Sequence, residues 1–143
     1  MMRELVELVK SDPRYKLEAY LFVFEALRYA QEVLRFGREA VSEPLPGVDD
    51  EQEEAQPRRH VTGQELCEAA RRYALDQYGL MAKTVLNSWG IFSTSDIGEI
   101  VYNLIKIGCM RKTREDRREH FDNVYDFQTA FRDGFRLCLD DAE

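Results

Sequence analysis

The stretch STSDIGEIVYNLIKIG, residues 93–108, carries the strongest structural pattern in this 143-residue chain. Its branched apolar residues recur every three or four positions, so they share one face of a helix. These residues are Ile97, Ile100, Val101, Leu104 and Ile107. Hydroxyl side chains at 93–95 can cap such a helix, and Gly108 can end it. The stretch predicts an amphipathic helix and indicates a mainly α-helical fold.

Two further helices are predicted before this one, which makes a three-helix body. Residues 62–65, Thr-Gly-Gln-Glu, form a capping-box pattern, and helical spacing then continues to Gly79. The next helix runs from Leu80 to Trp89. After the third helix, a C-terminal helix is predicted from about residue 126 onward. The helical body therefore spans residues 61–139 and precedes an acidic tail, 140–143.

The segment between Gly108 and the C-terminal helix allows two interpretations. Residues 109–113 and 123–127 could form two short strands of a small β-hairpin. Alternatively, a helical turn begins at Thr113, with Asp116 placed to cap it. Three helices followed by a hairpin would give a winged-helix-like topology, whereas a turn would give some other small helical fold.

The N-terminal helical arm, residues 1–41, is predicted to hold a short helix at 2–10 and a long helix over 14–40. Asp12 is a favourable N-cap, and Pro13 a favourable first helical residue. The long helix is apolar on two sides, and a helix of this kind is covered on two sides. We expect either the body, packed with the arm as one domain, or a protein partner such as a second copy to cover it. The candidate partner interface is Phe22, Tyr29, Val33 and Phe36.

The acidic charge of the chain is confined to two short stretches. Residues 42–60 carry six acidic residues against two arginines and hold three of the four prolines. The tail 140–143 adds three acidic residues, and together the two stretches account for the net charge of −7. We expect 42–60 to be a mobile linker, because such a composition cannot recover its ordering entropy by burial. The remaining chain is neutral, so net charge excludes no class of partner.

No pattern in the chain predicts a catalytic site, a metal site or a cofactor. Neither His60 nor His120 has a known metal-ligand spacing, although His120 lies among carboxylates. Asp96 and Glu99 fall in the first turn of the third helix, where the helix dipole favours acidic groups. Gly98, in the same helix, is expected to permit close packing. We therefore expect no enzyme activity and no cofactor.

The cysteines and the apolar runs indicate the cellular location of the protein. Cys67, Cys109 and Cys138 show no CxxC spacing and lie on apolar faces. Buried, reduced thiols of this kind are typical of a cytoplasmic protein. No apolar run approaches the roughly 20 residues that a membrane-spanning helix needs. We expect a cytoplasmic protein without membrane contact.

The strongest signal for binding is a basic cluster at residues 106–118. It holds six basic residues against two acidic ones. If the segment is a wing, its bases could contact a phosphate backbone. The other interpretation is that they pair with carboxylates, either within the hairpin or in the acidic linker. The candidate nucleic-acid contacts are Arg111, Lys112, Arg114, Arg117 and Arg118.

Much of the chain outside the linker and tail also carries a recognisable pattern. Its parts are DPRY at 12–15, EAY at 18–20, HVTGQEL at 60–66, WGI at 89–91, DIGEIVYNL at 96–104, KT at 112–113 and YDF at 125–127 with Phe131. This pattern resembles a small uncharacterised bacterial protein family seen mainly in planctomycetes and verrucomicrobia. The resemblance implies no activity and no site residue.

Taken together, these features predict a non-catalytic protein-interaction or structural module. The doubly apolar helix and the aromatic content support this prediction, and they also suit a self-associating protein. The alternative is a winged-helix-like nucleic-acid-binding or regulatory protein that uses residues 106–118.

Overall fold

Helices form most of the part of the chain that the computed structural model describes, residues 2–39, 59–113 and 116–132. They are α1 (Met2–Ser11), α2 (Leu17–Glu32), α3 (Gly63–Tyr78), α4 (Ala82–Ser88), α5 (Thr94–Lys106) and α6, helical over 127–132. Short 3₁₀ turns occupy Gly79–Met81 and Arg118–Phe121. Strand β1 (Arg38–Glu39) pairs antiparallel with β2 (Arg59–His60). The prediction of a mainly α-helical protein is confirmed.

The predicted helix starts in the body follow from local capping. α3 begins with the expected capping box, in which the Glu65 N–H donates to Thr62 Oγ1 and the Thr62 N–H to Glu65 Oε1, both at 3.1 Å. At α5, Ser93 Oγ accepts the backbone N–H of Asp96 at 3.4 Å. Asp126 caps α6, since its carboxylate accepts the N–H of Thr129 at 3.1 Å. These caps need only residues a few positions apart, so the sequence predicts them well.

α2 packs against both α3 and α5 and buries residues on more than one side. Ala19, Ala26 and Ala30 of α2 are fully buried, and so are alanines of α3, so the two helices can approach closely. On another side, the Phe22 ring lies 5.8 Å from the ring of Tyr73 in α3. Its own chain therefore covers much of the apolar surface of this helix.

The prediction of one long helix over 14–40 is wrong, because the helix is shorter. α2 has 16 residues, and its C-cap is Val33. Beyond it, Arg35 and Gly37 adopt positive φ angles of 57° and 101°, which an α-helix cannot contain. The chain instead turns back and enters β1, where Arg38 faces His60 across the strand pair. At the other end, Asp12 does not cap α2, whose N-cap is Lys16.

The predicted β-hairpin, and with it the winged-helix-like topology, is wrong. Among the described residues of 109–127 there is no strand. The N–H of Thr113 donates to the Asp116 carboxylate at 2.7 Å, and the Asp116 N–H donates back to the Thr113 carbonyl at 3.2 Å. Cys109 and Met110 donate their backbone N–H groups to the Leu104 carbonyl. With these donors bound locally, the segment has no row of groups left for a hairpin ladder.

Several predictions fall wholly or partly outside the described ranges. Of the predicted acidic linker 42–60, only residues 59–60 are described, and they form β2 rather than linker. The predicted end of the C-terminal helix and the tail 140–143 also lie beyond the described residues. Within them, no helix combines the length and apolar character that crossing a membrane requires.

Candidate functional site

A polar network joins the turn after α1 to the start of α5. The hydroxyl of Tyr15, a residue only 2% exposed, donates to Oδ1 of Asp96 at 2.6 Å. Oδ2 of the same carboxylate accepts the backbone N–H of Phe92 at 2.9 Å. Burial and the neighbouring carboxylate raise the pKa of Tyr15, so its phenol stays protonated and remains a donor. Asp96 therefore fastens distant parts of the chain together.

The same network continues along α5 to Asn103. Its side-chain amide donates to Oδ2 of Asp12 at 3.0 Å and to the hydroxyl oxygen of Tyr20 at 3.2 Å. The Arg14 guanidinium donates two hydrogen bonds to Asp12, at 2.9 and 2.7 Å, and the Arg14 backbone N–H donates a third at 3.3 Å. These bonds hold the pKa of Asp12 well below its usual range. Most of these polar residues belong to the recognisable sequence pattern. The hydrogen bonds of these residues give each of them a structural role in the fold.

Two glycines allow the 3₁₀ turn Arg118–Phe121 to pack against α5 and the start of α3. A Cβ at Gly98 would lie 2.6 Å from Cβ of Phe121, and one at Gly63 would lie 3.1 Å from Cβ of His120. Phe121 is 5% exposed and fills the space that both glycines leave. The expectation that Gly98 permits close packing is confirmed, and its partner is this turn.

Arg118 anchors the same turn by three contacts. Its guanidinium lies 2.9 Å from the Glu99 carboxylate and 2.8 Å from that of Asp122, and it donates to the Ser95 carbonyl at 2.9 Å. The two carboxylates balance the positive charge of Arg118 within the chain. Arg118 is therefore a structural residue in this conformation.

A cleft of about 740 Å³ lies beside this turn, which forms part of its wall. It opens between five segments: the C-terminal half of α2, residues 60–61, the start of α3, the C-terminal half of α5, and a last segment that contributes residues 108–112, 116–117 and 120–121. Its apolar lining comes from four of these segments and includes Phe24, Leu27, Leu66, Val101, Ile105 and Phe121. The volume lies in the range of roughly 300–1,000 Å³ that is usual for ligand sites.

The polar rim of the cleft carries more basic than acidic groups. Three bases, Arg111, Lys112 and Arg117, line it against two carboxylates, Glu32 and Asp116. One of these carboxylates is already engaged, since Asp116 Oδ2 lies 2.5 Å from Nε2 of a histidine in β2. Burial opposes ionisation of Asp116, but that histidine and the Thr113 amide together hold its pKa below the ordinary value. Arg111 and Lys112 also have interactions within the chain, so the charge of the rim is partly compensated.

Both histidines of the chain line this cleft, although they are 60 residues apart in the sequence. His60 is the partner of Asp116. His120 accepts the backbone N–H of Arg117 at its Nδ1, at 3.4 Å. Across the described ranges, no group of three or more histidine, cysteine, aspartate or glutamate side chains could hold a metal ion.

Tyr102 is a residue of the cleft wall with an unsatisfied polar atom. Its ring packs edge-on against Phe121, with the ring centroids 6.4 Å apart. Its hydroxyl oxygen is buried and has no hydrogen-bond partner within the described part of the chain. Burial and nearby carboxylates raise the pKa of Tyr102, so the hydroxyl is a donor at neutral pH.

The structure buries the four predicted partner-interface residues to different degrees. Phe22 is 3% exposed and packs on Tyr73, as does the half-buried Tyr29 at 5.4 Å between ring centroids. The Phe36 ring lies under the Arg72 guanidinium. Val33, 60% exposed, remains on the surface directly after Glu32 of the cleft rim. Of the four, Val33 is therefore the one available to a partner without rearrangement.

The five predicted nucleic-acid contacts are also divided by the structure. Arg111, Lys112 and Arg117 line the cleft, whereas Arg118 pairs with acidic residues of its own chain. Arg114 lies outside the described residues. Arg111, Lys112 and Arg117 thus belong to the rim of a cleft rather than to the edge of a hairpin.

The cysteines that the structure describes are not disulfide-bonded. Cys67 is fully buried, and burial raises the pKa of its thiol to about 12. Cys109, half-buried in the cleft wall, has a pKa that burial also raises. Neither thiol has the lowered pKa that an activated nucleophile needs.

Comparison with protein-family models, with curated proteins and with solved structures finds no match for this chain.

The sequence did not predict the cleft, because five separated segments contribute to it. Two signals point towards it in retrospect. Phe24 and Leu27 are only partly buried on α2, and each histidine lies within three residues of a pair of arginines. Neither signal specifies a cavity until α2, α3 and α5 are packed together.

Proposed function

We propose that the protein is a non-catalytic interaction module and that it binds a segment of a protein partner in the cleft. The cleft itself carries this proposal, because it combines an apolar lining with a polar, mostly basic rim. An apolar centre surrounded by polar groups is the usual anatomy of a protein-recognition site. The exposed Val33, beside the rim residue Glu32, extends the apolar surface that a partner could use.

The test is selection of ligands from a library of random peptides displayed on phage. Peptides enriched on the wild-type protein are synthesised, and their affinities are measured by fluorescence polarisation for wild type and for the Ile105→Gln variant. Ile105 is half-buried in the apolar lining, so this neutral substitution removes apolar contact without adding charge. Loss of one buried aliphatic contact corresponds to a decrease in affinity of about tenfold or more.

The matched control is Leu80→Gln, which changes a residue 71% exposed and outside the cleft lining. It should leave the peptide affinities unchanged. The fluorescence of Trp89, the only tryptophan, reports whether each variant is folded. If no peptide is enriched, or if Ile105→Gln binds the enriched peptides as tightly as wild type, the proposal is wrong.

A second copy of the chain is the other protein partner to consider. Sedimentation of the purified protein at several concentrations distinguishes the two, since a self-associating chain changes mass with concentration. We also propose a cytoplasmic location, which the unbonded cysteines Cys67 and Cys109 support.

Nucleic-acid binding is the alternative function, and the grouping of Arg111, Lys112 and Arg117 on one rim favours it. Its affinity should fall steeply with salt, because phosphate contacts release counterions. Fluorescence anisotropy with DNA and RNA oligonucleotides at about 50 mM salt tests this alternative. Binding that Arg111→Glu, Lys112→Glu and Arg114→Glu together abolish would support it, and no anisotropy change with the wild-type protein would exclude it.

A further inference from the structure

We infer that a second copy of this chain docks on an apolar surface formed by α4 and its two ends. This surface, here called the α4 surface, consists of Leu80, Met81, Val85, Trp89 and Phe92. None of these residues lines the cleft. The inference therefore goes beyond the proposed function, because each copy in such a dimer keeps its own cleft open to a peptide.

The first argument is the exposure of large apolar side chains close together in the chain. Leu80 is 71% exposed, Met81 55% and Phe92 62%. Apolar side chains that are exposed singly are normal on a protein surface, whereas a group of them marks a contact site. Aromatic residues and methionine are also enriched in protein interfaces.

The second argument is the alignment of these side chains along one helix. Met81 is the N-cap of α4 and Trp89 its C-cap, and Val85 lies halfway between them. Residues four positions apart share one side of a helix, so these three form a stripe. Leu80 directly precedes the stripe, and Phe92 follows Trp89 within about 10 Å of chain. The five residues therefore lie along one side of α4 and at its ends.

The third argument is that the α4 surface is held in place by the rest of the fold. The Trp89 ring lies 5.9 Å from the ring of Tyr78 and 6.0 Å from that of Phe22, measured between centroids. The carbonyl of Trp89 accepts the backbone N–H of Lys16 at 3.1 Å. A surface that is already ordered loses less conformational entropy on docking than a flexible one.

The apolar area of the α4 surface matches one half of a stable dimer interface. A standard interface covers about 800 Å² on each partner, of which about 450–500 Å² is apolar. At about 200 Å² for a large apolar side chain, the exposed fractions of Leu80, Met81 and Phe92 supply about 400 Å². The half-buried Val85 and Trp89 add to this area. In a two-fold dimer, the same surface serves both copies.

The charges beside the α4 surface favour a second copy over a lipid membrane. Asp76 and Lys83 lie on either side of Leu80 and Met81 in the chain, and Glu18 lies near Lys16 at the start of α2. A membrane with anionic headgroups attracts a surface on which bases predominate. A surface that binds its own copy needs both signs of charge, because it must be complementary to itself.

The experiment is analytical ultracentrifugation of the full chain over about a hundredfold range of concentration. We expect the mass to rise from that of one chain to that of two. Phe92→Gln and Leu80→Gln should each weaken dimerisation by about a hundredfold. Loss of one apolar contact corresponds to about tenfold, and a two-fold axis repeats each contact.

Two control variants show where the copies meet. Val33→Gln changes a side chain that is 60% exposed and outside the α4 surface. Ile105→Gln changes the lining of the cleft. Both should dimerise as the wild type does, and circular dichroism should show all four variants folded. The dimer should also persist at high salt, because its contact is apolar and salt screens the repulsion between two chains of net charge −7.

Three results would overturn the inference. One is the mass of a single chain at every concentration, as expected if another protein or the chain's own C-terminal segment covers the α4 surface. Another is a single chain that sediments with phosphatidylcholine–phosphatidylserine vesicles and loses this binding in Phe92→Gln, which would assign the surface to lipid. The third is a dimer that survives both Leu80→Gln and Phe92→Gln, or that Ile105→Gln dissociates, because the copies would then meet elsewhere.

The failure of this inference and that of the proposed function are distinguishable. Affinities for the library-selected peptides should be unchanged in Leu80→Gln and Phe92→Gln and reduced in Ile105→Gln, whereas dimerisation should show the opposite pattern. Each result therefore tests one surface of the protein without the other.

Discussion

Replacing Gly98 with alanine tests how α5 and the turn Arg118–Phe121 are packed. An alanine Cβ would lie 2.6 Å from Cβ of Phe121 and 2.8 Å from its Cγ. These atoms are at the root of a buried ring, so they cannot move away as the end of a flexible side chain could. The turn itself must shift, and Arg118 must shift with it.

Two opposing effects decide the sign of the change in stability. Alanine is favoured over glycine in a helix interior by about 1 kcal/mol. Overpacking a tight contact costs about 1–3 kcal/mol, and here both the clash and the displaced Arg118 contacts contribute. We therefore expect Gly98→Ala to lower the free energy of unfolding by about 1–2 kcal/mol.

The assay is urea unfolding, followed by the fluorescence of Trp89 and by far-ultraviolet circular dichroism. A double-mutant cycle with Phe121→Ala provides the control. Without the ring, the turn can move more easily, so the second substitution should cost less in that background. Our reasoning is refuted if Gly98→Ala raises the stability of the wild-type protein, because helix propensity would then outweigh the contact.

Three other predictions concern the network and the titrating groups. Tyr15→Phe should lower the free energy of unfolding in urea by about 1.5–3 kcal/mol, the range for a hydrogen bond to a charged group, and no change would show that the 2.6 Å bond to Asp96 contributes nothing. At pH 8, iodoacetamide should modify Cys109 faster than Cys67, whose pKa is raised to about 12, as mapped by mass spectrometry; equal rates would contradict the burial of Cys67. Because the pKa of Asp116 is lowered in the folded protein, its contribution to stability is present above the unfolded pKa of about 3.9 and is lost as the pH falls below it. The stability difference between wild type and Asp116→Asn, measured by urea unfolding, should therefore shrink from pH 6 to pH 3, and a constant difference would argue against this ionisation.

The correct predictions concern features that neighbouring residues decide. The capping box of Thr62 and Glu65 and the apolar face of α5 depend on residues three or four positions apart. Gly37, four residues beyond the C-cap Val33, is a residue type that commonly follows the end of a helix. The positive φ of Arg35 had no such signal, since an arginine rarely adopts it.

The hairpin prediction failed because a hairpin and a local turn can be formed by the same residues. The two structures differ only in which groups the backbone hydrogen bonds join. Thr113 and Asp116 satisfy each other across three positions, which a strand at 109–113 would not allow. Alternating side chains are visible in a sequence, but whether a backbone N–H finds a local or a distant acceptor is not. The sequence shows the basic residues of this segment, but it does not show that three of them line a cleft.

The helix stretch at 93–108, by itself, determined that the protein is mainly helical and which face of α5 is buried. Helical periodicity and capping depend on residues that are three or four positions apart, so they can be recognised in the sequence. Tertiary packing alone decided that Asp96 and Asn103 bind the turn after α1, and that Gly98 faces Phe121. It also decided that His60 and His120 share one cleft, because a cavity exists only where separate segments meet.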